Sequence, residues 1–498
     1  MSSSEVAEEL RLVRARMEAF DEEIAGTLAH VKRLRQRKRD MLIDLNRVQS
    51  PLLRLLPPEI ITEIFFHTLP ANPTIPRPKL APILLTHVCR TWRDIALSCS
   101  PFWSTICAAD ILYGYPNPNL LAMLNAFLER SKTIPLSVSL VPPRSDFPHN
   151  RRMFDGRART ELFTTLRRTS HRWSELEIVR PYGEMPLLLR ADEGWAFPLL
   201  RKLSLVSPLG SRPPNDHPPL SNLTEAPALR EVHMMGFSPR KLSLPWGQLT
   251  KVSLDNITPV DVLDALSQAP SAVEASFKLL PAPFFSVPQR NENASKGRPR
   301  ALKSLTLKGE NHIIPLLDHL PIYPGPFRTF RLQCTGGAGS PIEPLAQFFY
   351  AFPGLTDVAL ELDGVLLLAD LGECVQNLTR VQTLTLGMRN GLMNGRFPAA
   401  LATNPAILPA LKALTVREHI DRYNEPGGVD TGAIAEMLRA RCGTLRAFTL
   451  YTTFPLGFTS EVAAQFVDLA RAGMEICLRS HGTGPFATVY FSSEWVKA

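Results

Sequence analysis

The stretch LKSLTL, residues 302–307, contains the pattern that decides the fold of most of this 498-residue chain. Its first, fourth and sixth residues are apolar, and the residues between them are polar. Successive side chains of a β-strand point to opposite faces, so the last two apolar residues share one face. The stretch therefore predicts a short strand with one side against a core.

The same spacing returns on both sides of this stretch, and the first residues of neighbouring triplets lie 20 to 34 positions apart. Between several triplets lie stretches with helical periodicity, at 260–269, 344–352 and 433–441. A single strand–helix unit cannot bury its own apolar face, so we expect neighbouring units to stack. The triplets are Trp173-Leu176-Ile178, Leu200-Leu203-Leu205, Leu229-Val232-Met234, Leu249-Val252-Leu254, Ala272-Ala275-Phe277, Leu302-Leu305-Leu307, Phe327-Phe330-Leu332, Leu355-Val358-Leu360, Val381-Leu384-Leu386, Leu411-Leu414-Val416 and Leu445-Phe448-Leu450.

The recurrence resembles a leucine-rich repeat, whose units are about 20 to 29 residues long. It departs from that family because the asparagine that normally follows the strand is absent from most units. The resemblance implies an α/β fold, an irregular leucine-rich-repeat-like solenoid with parallel strands over residues 171–480, followed by a C-terminal tail at 481–498. An α/β layered domain with its strands arranged otherwise is the alternative.

In such a solenoid the outward-facing side chains of the strands form the default surface for binding a partner. Proline-rich stretches at 207–221 and 281–300 predict long loops that project from it. The charges on this surface are mixed in sign, so they do not identify the ligand. The candidate residues are Lys202, Ser204, Glu231, His233, Lys251, Ser253, Lys303, Thr306, Arg328, Arg331, Asp357, Glu361, Thr383, Thr385, Lys412, Thr415, Arg446 and Thr449.

Residues 10–50 carry apolar side chains at alternating steps of three and four, separated mostly by Glu, Arg and Lys. This heptad pattern predicts a coiled-coil helix after a disordered tail at 1–9, and with it a homodimer through residues 10–48. A lone amphipathic helix docked on its own chain is the alternative, but the narrow stripe with charged flanks favours the coiled coil. The seam consists of Leu10, Val13, Met17, Phe20, Ile24, Thr27, Val31, Leu34, Lys38, Met41, Leu45 and Val48.

Residues 51–108 contain two helical blocks rich in large apolar side chains. The first, LLPPEIITEIFF at 55–66, opens with prolines, whose missing N–H costs nothing in the first turn of a helix. The second, ILLTHVCRTWRDIALSCSPFW at 83–103, repeats apolar residues at helical spacing until Pro101. A proline-rich insert at 71–82 predicts an exposed loop between the two blocks.

These two blocks together resemble an F-box, in the form common in basidiomycete fungi. The family opens with a leucine-proline pair, then Glu-Ile or Glu-Leu, then two aliphatics a turn later. Its second half has a valine-cysteine pair, a tryptophan three residues after the cysteine, and a terminal tryptophan. The matching residues are Leu56, Pro57, Glu59, Ile60, Ile64 and Phe65, then Val88, Cys89, Trp92 and Trp103.

The resemblance implies a small three-helix module that binds a Skp-type adaptor and so joins a cullin–RING ubiquitin ligase. About fifty residues cannot hide so many apolar side chains, and an uncovered apolar patch usually marks a partner surface. We assign adaptor binding to Leu56, Pro57, Ile60, Ile64, Phe65, Leu84, Leu85 and Val88. We assign the core of the module to Cys89, Trp92, Ile95 and Trp103. The alternative is that all of these residues are core, and residues 109–170 are expected to form a connecting helical region.

Nothing in the sequence indicates an enzyme. It contains no P-loop, GxGxxG, GxSxG or HExxH motif and no set of kinase motifs. The seven cysteines show neither CxxC spacing nor a cluster with histidine, so we expect reduced thiols, no metal and no cofactor. The polar N-terminus is no signal peptide, and no apolar run is long enough for a membrane span, so we expect an intracellular protein in the cytoplasm, the nucleus or both.

These features predict a non-enzymatic, substrate-recruiting subunit of an SCF-type ubiquitin ligase, with a target protein held by the repeats. A ligase-independent scaffold for protein interactions, dimerised by its coiled coil, is the second hypothesis. The third is a nucleic-acid binder that uses the basic run at 32–39. The bland interpretation of that run, a solvated helix face, is favoured over it.

Overall fold

The computed structural model of the chain divides into two compact units, Met1–Arg159 and Thr160–Ala498. The structure describes residues 3–49, 52, 55–71, 77–107, 120–141, 161, 164–179, 195–207, 221–281, 299–310, 313–335, 343–362, 374–388, 392–418, 429–453, 456–480 and 487–491. The predicted projecting loops at 207–221 and 281–300 lie almost entirely outside these residues.

The first unit begins with one long helix, α1, which runs from Ser3 to Gln49. No proline interrupts this stretch, and its composition of Glu, Arg, Leu and Ala favours a helix at nearly every position. The predicted N-terminal helix is therefore confirmed. It begins within the predicted disordered tail at 1–9, because Ser3 and the residues after it already have helical geometry.

Three short helices follow in the first unit: α2 (Pro58–His67), α3 (Leu85–Val88) and α4 (Arg90–Ser98). Pro58 occupies the first turn of α2, and Glu59 places a carboxylate near the positive end of the helix dipole. Cys89 has an extended backbone that separates α3 from α4, and its Sγ accepts the Trp92 N–H at 3.5 Å. The second block thus contains two helices.

The first unit ends in a small α/β element that the sequence analysis did not predict. A 3-10 turn, Ser100–Trp103, leads into strand β1 (Thr105–Cys107). Helix α5 (Leu120–Arg130) then precedes strand β2 (Leu136–Leu140), which pairs with β1 in parallel. Residues 109–170 were predicted as a connecting helical region, so β2 is a correction. The alternation LSVSL, with its apolar residues buried, is the signal that was missed.

The second unit is organised around parallel strands that pair in the order of the sequence. Each strand from β3 to β13 contains the second and third residues of one predicted triplet, and the first residue of that triplet lies at the start of the strand or shortly before it. The strands are β3 (Trp173–Val179), β4 (Lys202–Val206), β5 (Glu231–Met235), β6 (Lys251–Ile257), β7 (Glu274–Leu279), β8 (Ser304–Glu310), β9 (Thr329–Thr335), β10 (Asp357–Leu362), β11 (Thr383–Met388), β12 (Ala413–Glu418), β13 (Ala447–Thr452), β14 (Glu475–Ser480) and β15 (Ala487–Phe491).

The register of these strands aligns equivalent triplet positions from one unit of the repeat to the next. Leu305 of β8 lies beside Phe330 of β9, which lies beside Val358 of β10. Every triplet residue is at most 5% exposed, so the triplets form one continuous apolar layer. The α/β class and the parallel strands are confirmed, and the arrangement is consistent with a solenoid-like repeat.

Helices connect strands in the C-terminal part of this unit, while the described residues between β4 and β6 include three 3-10 turns. The helices are α6 (Pro259–Gln268), α7 (Ile313–Leu316), α8 (Glu343–Ala351), α9 (Arg396–Thr403), α10 (Thr431–Ala440) and α11 (Ser460–Arg471). Three of them, α6, α8 and α10, confirm the predicted helical stretches at 260–269, 344–352 and 433–441, each within about two residues.

Two strands at the C-terminal end of the sheet were not predicted. β14 continues the parallel order, but Gly473 stands where the first apolar residue of its triplet would be. β15 pairs with β14 in the antiparallel direction. The predicted C-terminal tail at 481–498 is therefore wrong for residues 487–491. An antiparallel last strand ends the repetition, because no further parallel strand is paired beyond it among the residues described.

Candidate protein-binding surfaces

Trp103 is the centre of the core in the helical module of the first unit. Its side chain is fully buried, and its indole N–H donates to the Ala96 carbonyl at 2.8 Å. The Phe127 ring meets it edge-on with centroids 5.0 Å apart, and the Arg130 guanidinium lies 4.4 Å above the indole. These contacts join α4, the 3-10 turn and α5, so the predicted core role of Trp103 is confirmed.

Phe65 anchors α2 to the same core. Its ring lies 4.6 Å from Trp92 and 6.4 Å from Phe102, and Ile61 is buried one turn earlier. Leu85 of α3 is buried in this cluster as well. The prediction that Phe65 and Leu85 contact an adaptor is therefore wrong, because neither side chain has a surface to offer.

The other predicted core residues lie at the edge of the cluster. Trp92 and Ile95 are half-buried and pack against it. Cys89 is half-buried too, but its described role is to cap α4 through the Trp92 N–H rather than to fill the core. The core therefore needed Ile61, Phe65 and Leu85, which the sequence analysis had assigned to the surface or left out.

Four aliphatic side chains next to these core residues remain exposed, and we call them the aliphatic set: Ile60 (47%), Ile64 (36%), Leu84 (43%) and Val88 (53%). Ile60 and Ile64 are one turn apart on α2, and Leu84 and Val88 are one turn apart across α3. Each pair thus lies on one helical face.

Three further apolar residues of this module are also exposed. Pro57 is exposed as predicted, while Leu56 is half-buried against the core. Leu55 and Leu80 are exposed apolar residues that the sequence analysis did not assign. Their signal was present, since Leu55 precedes Leu56-Pro57 and Leu80 lies one turn before Leu84.

The outward face of the sheet in the second unit is polar and is built from three rows of side chains. The first row lies near the start of the strands, and over β3 to β7 it alternates in charge as Glu175, Lys202, Glu231, Lys251 and Glu274. The Lys251 ammonium and the Glu274 carboxylate are 3.1 Å apart. Because both side chains are exposed, such a pair contributes little to stability, and it remains open to a ligand.

The second row consists mainly of small hydroxyl side chains. His233 Nδ1 and Ser253 Oγ are 3.1 Å apart in this row. The aligned residues are Ser204, His233, Ser253, Ser276, Thr306, Arg331, Ala359, Thr385, Thr415 and Thr449. Small side chains leave the sheet accessible between the longer side chains of the outer rows, although Ser204 itself is buried.

The third row becomes cationic and aromatic toward the C-terminal strands. Arg417 reaches across β11 to Glu361 at 2.8 Å, and it passes over Gly387, where an added Cβ would lie 3.0 Å from Glu361 Cγ. The guanidinium groups of Arg417 and Arg479 lie 5.8 and 5.3 Å from the Tyr451 ring centroid. Only Glu361 of this group was predicted. The others occupy the position that follows each triplet.

Several predicted outward residues lie just outside the strands. Lys303, Arg328, Lys412 and Arg446 each precede the first residue of their strand, and all four are exposed. The Arg328 guanidinium donates to the carbonyls of its own turn, and Lys412 Nζ bonds to the side chain of Gln382 at 3.0 Å. These residues border the outward face rather than belong to a row. Asp357 and Thr383 lie in the first row.

Two charged residues, Glu418 and Arg441, are buried in the C-terminal repeats. Arg441 donates to the carbonyls of Leu401, Asn404, Pro405 and Ile407 at 2.7 to 3.3 Å, and its burial lowers the pKa of the guanidinium. These carbonyls belong to the last turn of helix α9 and to the turn that follows it. Burial raises the pKa of the Glu418 carboxyl, against the opposing effect of the Met393 N–H that Oε1 accepts.

A comparison with models of protein families found no match, and a comparison with curated proteins found none either. Within the described residues no His, Cys, Asp or Glu side chains are grouped so that they could hold a metal ion. A search of the same residues found no helix with the length and apolar character of a membrane span. The candidate binding surfaces in the described residues are the aliphatic set, the outward sheet face and the exposed seam of α1.

Proposed function

We propose that this chain is a non-enzymatic, substrate-recruiting subunit of an SCF-type cullin–RING ubiquitin ligase. The observation that supports this proposal most strongly is the aliphatic set, exposed on helices whose opposite faces are buried in a tryptophan-centred core. The residues that resemble an F-box at 52–106 include both the buried and the exposed members.

The aliphatic set is suited to binding a protein. The helices that carry it are held by Ile61, Phe65 and Leu85, so binding a partner orders only its side chains and not the backbone that presents them. Covering apolar surface yields about 25 cal/mol per Å², and buried anchors at the centre of an interface supply most of the binding energy. We assign the adaptor contact to the aliphatic set with Pro57, and we add Leu55 and Leu80 from their exposure.

In this proposal the outward face of the second unit holds the target protein. Its charged first row and its cationic third row offer hydrogen-bonding groups at fixed spacing on a rigid sheet. The chain needs no catalytic group of its own, because the ligase supplies the ubiquitin-charged enzyme. Holding the target beside that enzyme raises the local concentration of its lysines, which is the mechanism of catalysis by proximity.

The test is co-purification of the chain with a recombinant Skp-type adaptor. The double variant Pro57→Ala/Ile60→Asp should abolish capture, since it removes one exposed anchor and puts a charge in the interface. Leu199→Asp is the matched control, because Leu199 is an exposed aliphatic residue of the second unit. Far-ultraviolet circular dichroism should be unchanged in both variants. Undiminished capture by the double variant would contradict the assignment.

The second candidate is a scaffold that binds proteins without joining a ligase. The exposed seam of α1 favours it, because a dimer would present two outward sheet faces at once. The two functions differ in one result. A chain that folds and dimerises but captures no adaptor is a scaffold, whereas capture through the aliphatic set makes it a ligase subunit.

A further inference from the structure

The apolar seam of α1 is exposed along its whole described length. Its large side chains other than Val31, which is half-buried, are 48% to 67% exposed. An apolar stripe of this length on a 47-residue helix is far more than the scattered exposed residues of an ordinary surface. The exposed members are Leu10, Val13, Met17, Phe20, Ile24, Leu34, Met41 and Leu45.

The charges of α1 are divided between its two halves. Residues 18–23 contain four acidic side chains and no basic one, whereas residues 32–39 contain six basic side chains and no acidic one. The helix dipole does not explain this division, because its effect is limited to the first and last turns and both blocks lie well inside the helix. A second helix with the same sequence brings its basic block beside this acidic block only when it runs in the opposite direction.

The heptad pattern limits two such helices to registers that differ by whole heptads. In an antiparallel pair each residue at heptad position a faces a residue at position d of the other copy, and in one of these registers the numbers of facing seam residues add to 58. Ile24 then faces Leu34 of the second copy, Met17 faces Met41, and Val13 faces Leu45. These layers are apolar throughout.

The flanking residues select the same alignment. In this register Asp21 faces Arg35 of the second copy, Glu23 faces Arg37, and Arg16 faces Asp44. Symmetry repeats each pair, and no like-charged pair occurs at the flanking positions within residues 10–45. Opposite charges at these positions set partner choice and orientation in coiled coils.

Other alignments bring like charges together. A shift by one heptad places Arg16 against Arg37 and Arg14 against Arg35, and the opposite shift places Glu23 against Asp44. Two parallel helices would bring together one kind of oppositely charged pair at the flanking positions within residues 10–45, Arg16 with Asp21 of the second copy.

A parallel pair also stacks Lys38 directly on Lys38 in the seam. In the antiparallel register Lys38 faces Phe20 instead, and an ammonium is attracted to an aromatic ring. Thr27, the other polar residue of the seam, already donates its hydroxyl to the Glu23 carbonyl at 2.9 Å. The hydroxyl proton of Thr27 is therefore already hydrogen-bonded when this residue is buried in a seam.

We propose that α1 binds α1 of a second copy of this chain as an antiparallel coiled coil, in the register that pairs Ile24 with Leu34. The proposal does not depend on adaptor binding. It places the two copies of residue 49 about 60 Å apart, at a rise of about 1.5 Å per residue, so the rest of each chain leaves from opposite ends of the coiled coil.

Disulfide trapping in the full chain tests the orientation. The variants Ile24→Cys and Leu34→Cys are made separately in a Cys442→Ser background, because Cys442 is the exposed native cysteine among the residues described. Mild oxidation of the two variants mixed should give a cross-linked dimer, while each variant alone should not. Cross-linking of Ile24→Cys alone would overturn the antiparallel arrangement, and a chain that sediments as a monomer at tens of micromolar would overturn the dimer.

Charge reversal tests the register. Asp21→Arg/Glu23→Arg should raise the dimer Kd by about 30-fold or more, since symmetry turns four attractive contacts into repulsive ones. Adding Arg35→Glu/Arg37→Glu should restore the Kd to within about threefold of the parent. Glu18→Arg/Glu22→Arg changes the net charge equally at positions away from the seam and should shift the Kd less than about threefold. Failure of the combined reversal to restore dimerisation would overturn the register.

Discussion

Replacing Trp103 should lower the stability of the helical module, and the contacts of its indole ring indicate by how much. Trp103→Phe keeps a ring beside Phe127 but leaves the buried Ala96 carbonyl without its donor, which costs about 1 kcal/mol. Loss of the larger indole adds about 1 kcal/mol more. Trp103→Ala removes the ring altogether and should cost about 4 kcal/mol.

Amide hydrogen exchange in the full chain measures this effect locally, in the N–H groups of α4 that exchange by opening of the module. Trp103→Phe should speed their exchange by about 30-fold, because a tenfold change corresponds to about 1.4 kcal/mol. Leu55→Ala is the control, since its side chain is exposed and its loss should change exchange by less than about twofold. Unchanged exchange in Trp103→Phe would mean that this tryptophan does not hold the module together.

Three further predictions concern the second unit. Arg441→Ala should lower the free energy of unfolding by about 3 kcal/mol, measured by chemical denaturation, because it leaves buried carbonyls unpaired; Arg441→Lys should be intermediate. Glu418→Gln should raise the Tm at pH 7, since burial raises the pKa of the carboxyl and the charged form is the costly one; the difference should shrink as the pH is lowered toward about 4, where the parent is protonated. Arg417→Ala should change the free energy of unfolding by less than about 1 kcal/mol, because the ion pair with Glu361 is largely exposed.

Each of these three predictions has a result that contradicts it. A stability for Arg441→Ala equal to that of the parent would mean that water replaces the guanidinium. A Glu418→Gln variant that is stabilised more at pH 4 than at pH 7 would reverse the sign of the argument. A loss of several kcal/mol in Arg417→Ala would show that the outward row is part of the core rather than of the surface.

The repeating part of the fold was predictable because its signal is long and regular. A triplet such as Leu302-Leu305-Leu307 is ambiguous alone, but eleven in succession at similar spacing are typical of stacked strands. β14 and β15 were missed for a physical reason. Gly473 removes the first apolar residue of one triplet, and β15 pairs antiparallel outside the repeat.

The faces of the short helices were less predictable. On α2 the apolar residues Ile60, Ile61, Ile64 and Phe65 cover two adjacent faces, and periodicity does not tell which one is buried. The structure buries Ile61 and Phe65, because Phe65 meets Trp92 and Phe102 from elements far along the chain. Contacts between separate segments of the chain therefore decide which face of α2 is buried, which the local pattern alone does not.

The cationic third row was missed for a similar reason. Arg417, Tyr451 and Arg479 lie about 30 residues apart in the sequence, and only the strand register brings them side by side. Gly387 is as important as the charged residues, since its missing side chain lets Arg417 reach Glu361. A position-by-position alignment of the triplets would have shown Arg417 and Tyr451, because each directly follows a triplet, but not Arg479, because the triplet of β14 lacks its first apolar residue.

We propose that the aliphatic set is left uncovered for another protein to bind. Isothermal titration calorimetry of the purified chain with a Skp-type adaptor measures this binding, and Ile64→Asp/Val88→Asp is compared with Leu199→Asp. We predict one-to-one binding by the parent and by the control, and a loss of affinity of about 1,000-fold in the double variant, since two anchors of about 2 kcal/mol each are removed. No measurable binding by the parent, or equal binding by the double variant, would contradict the account.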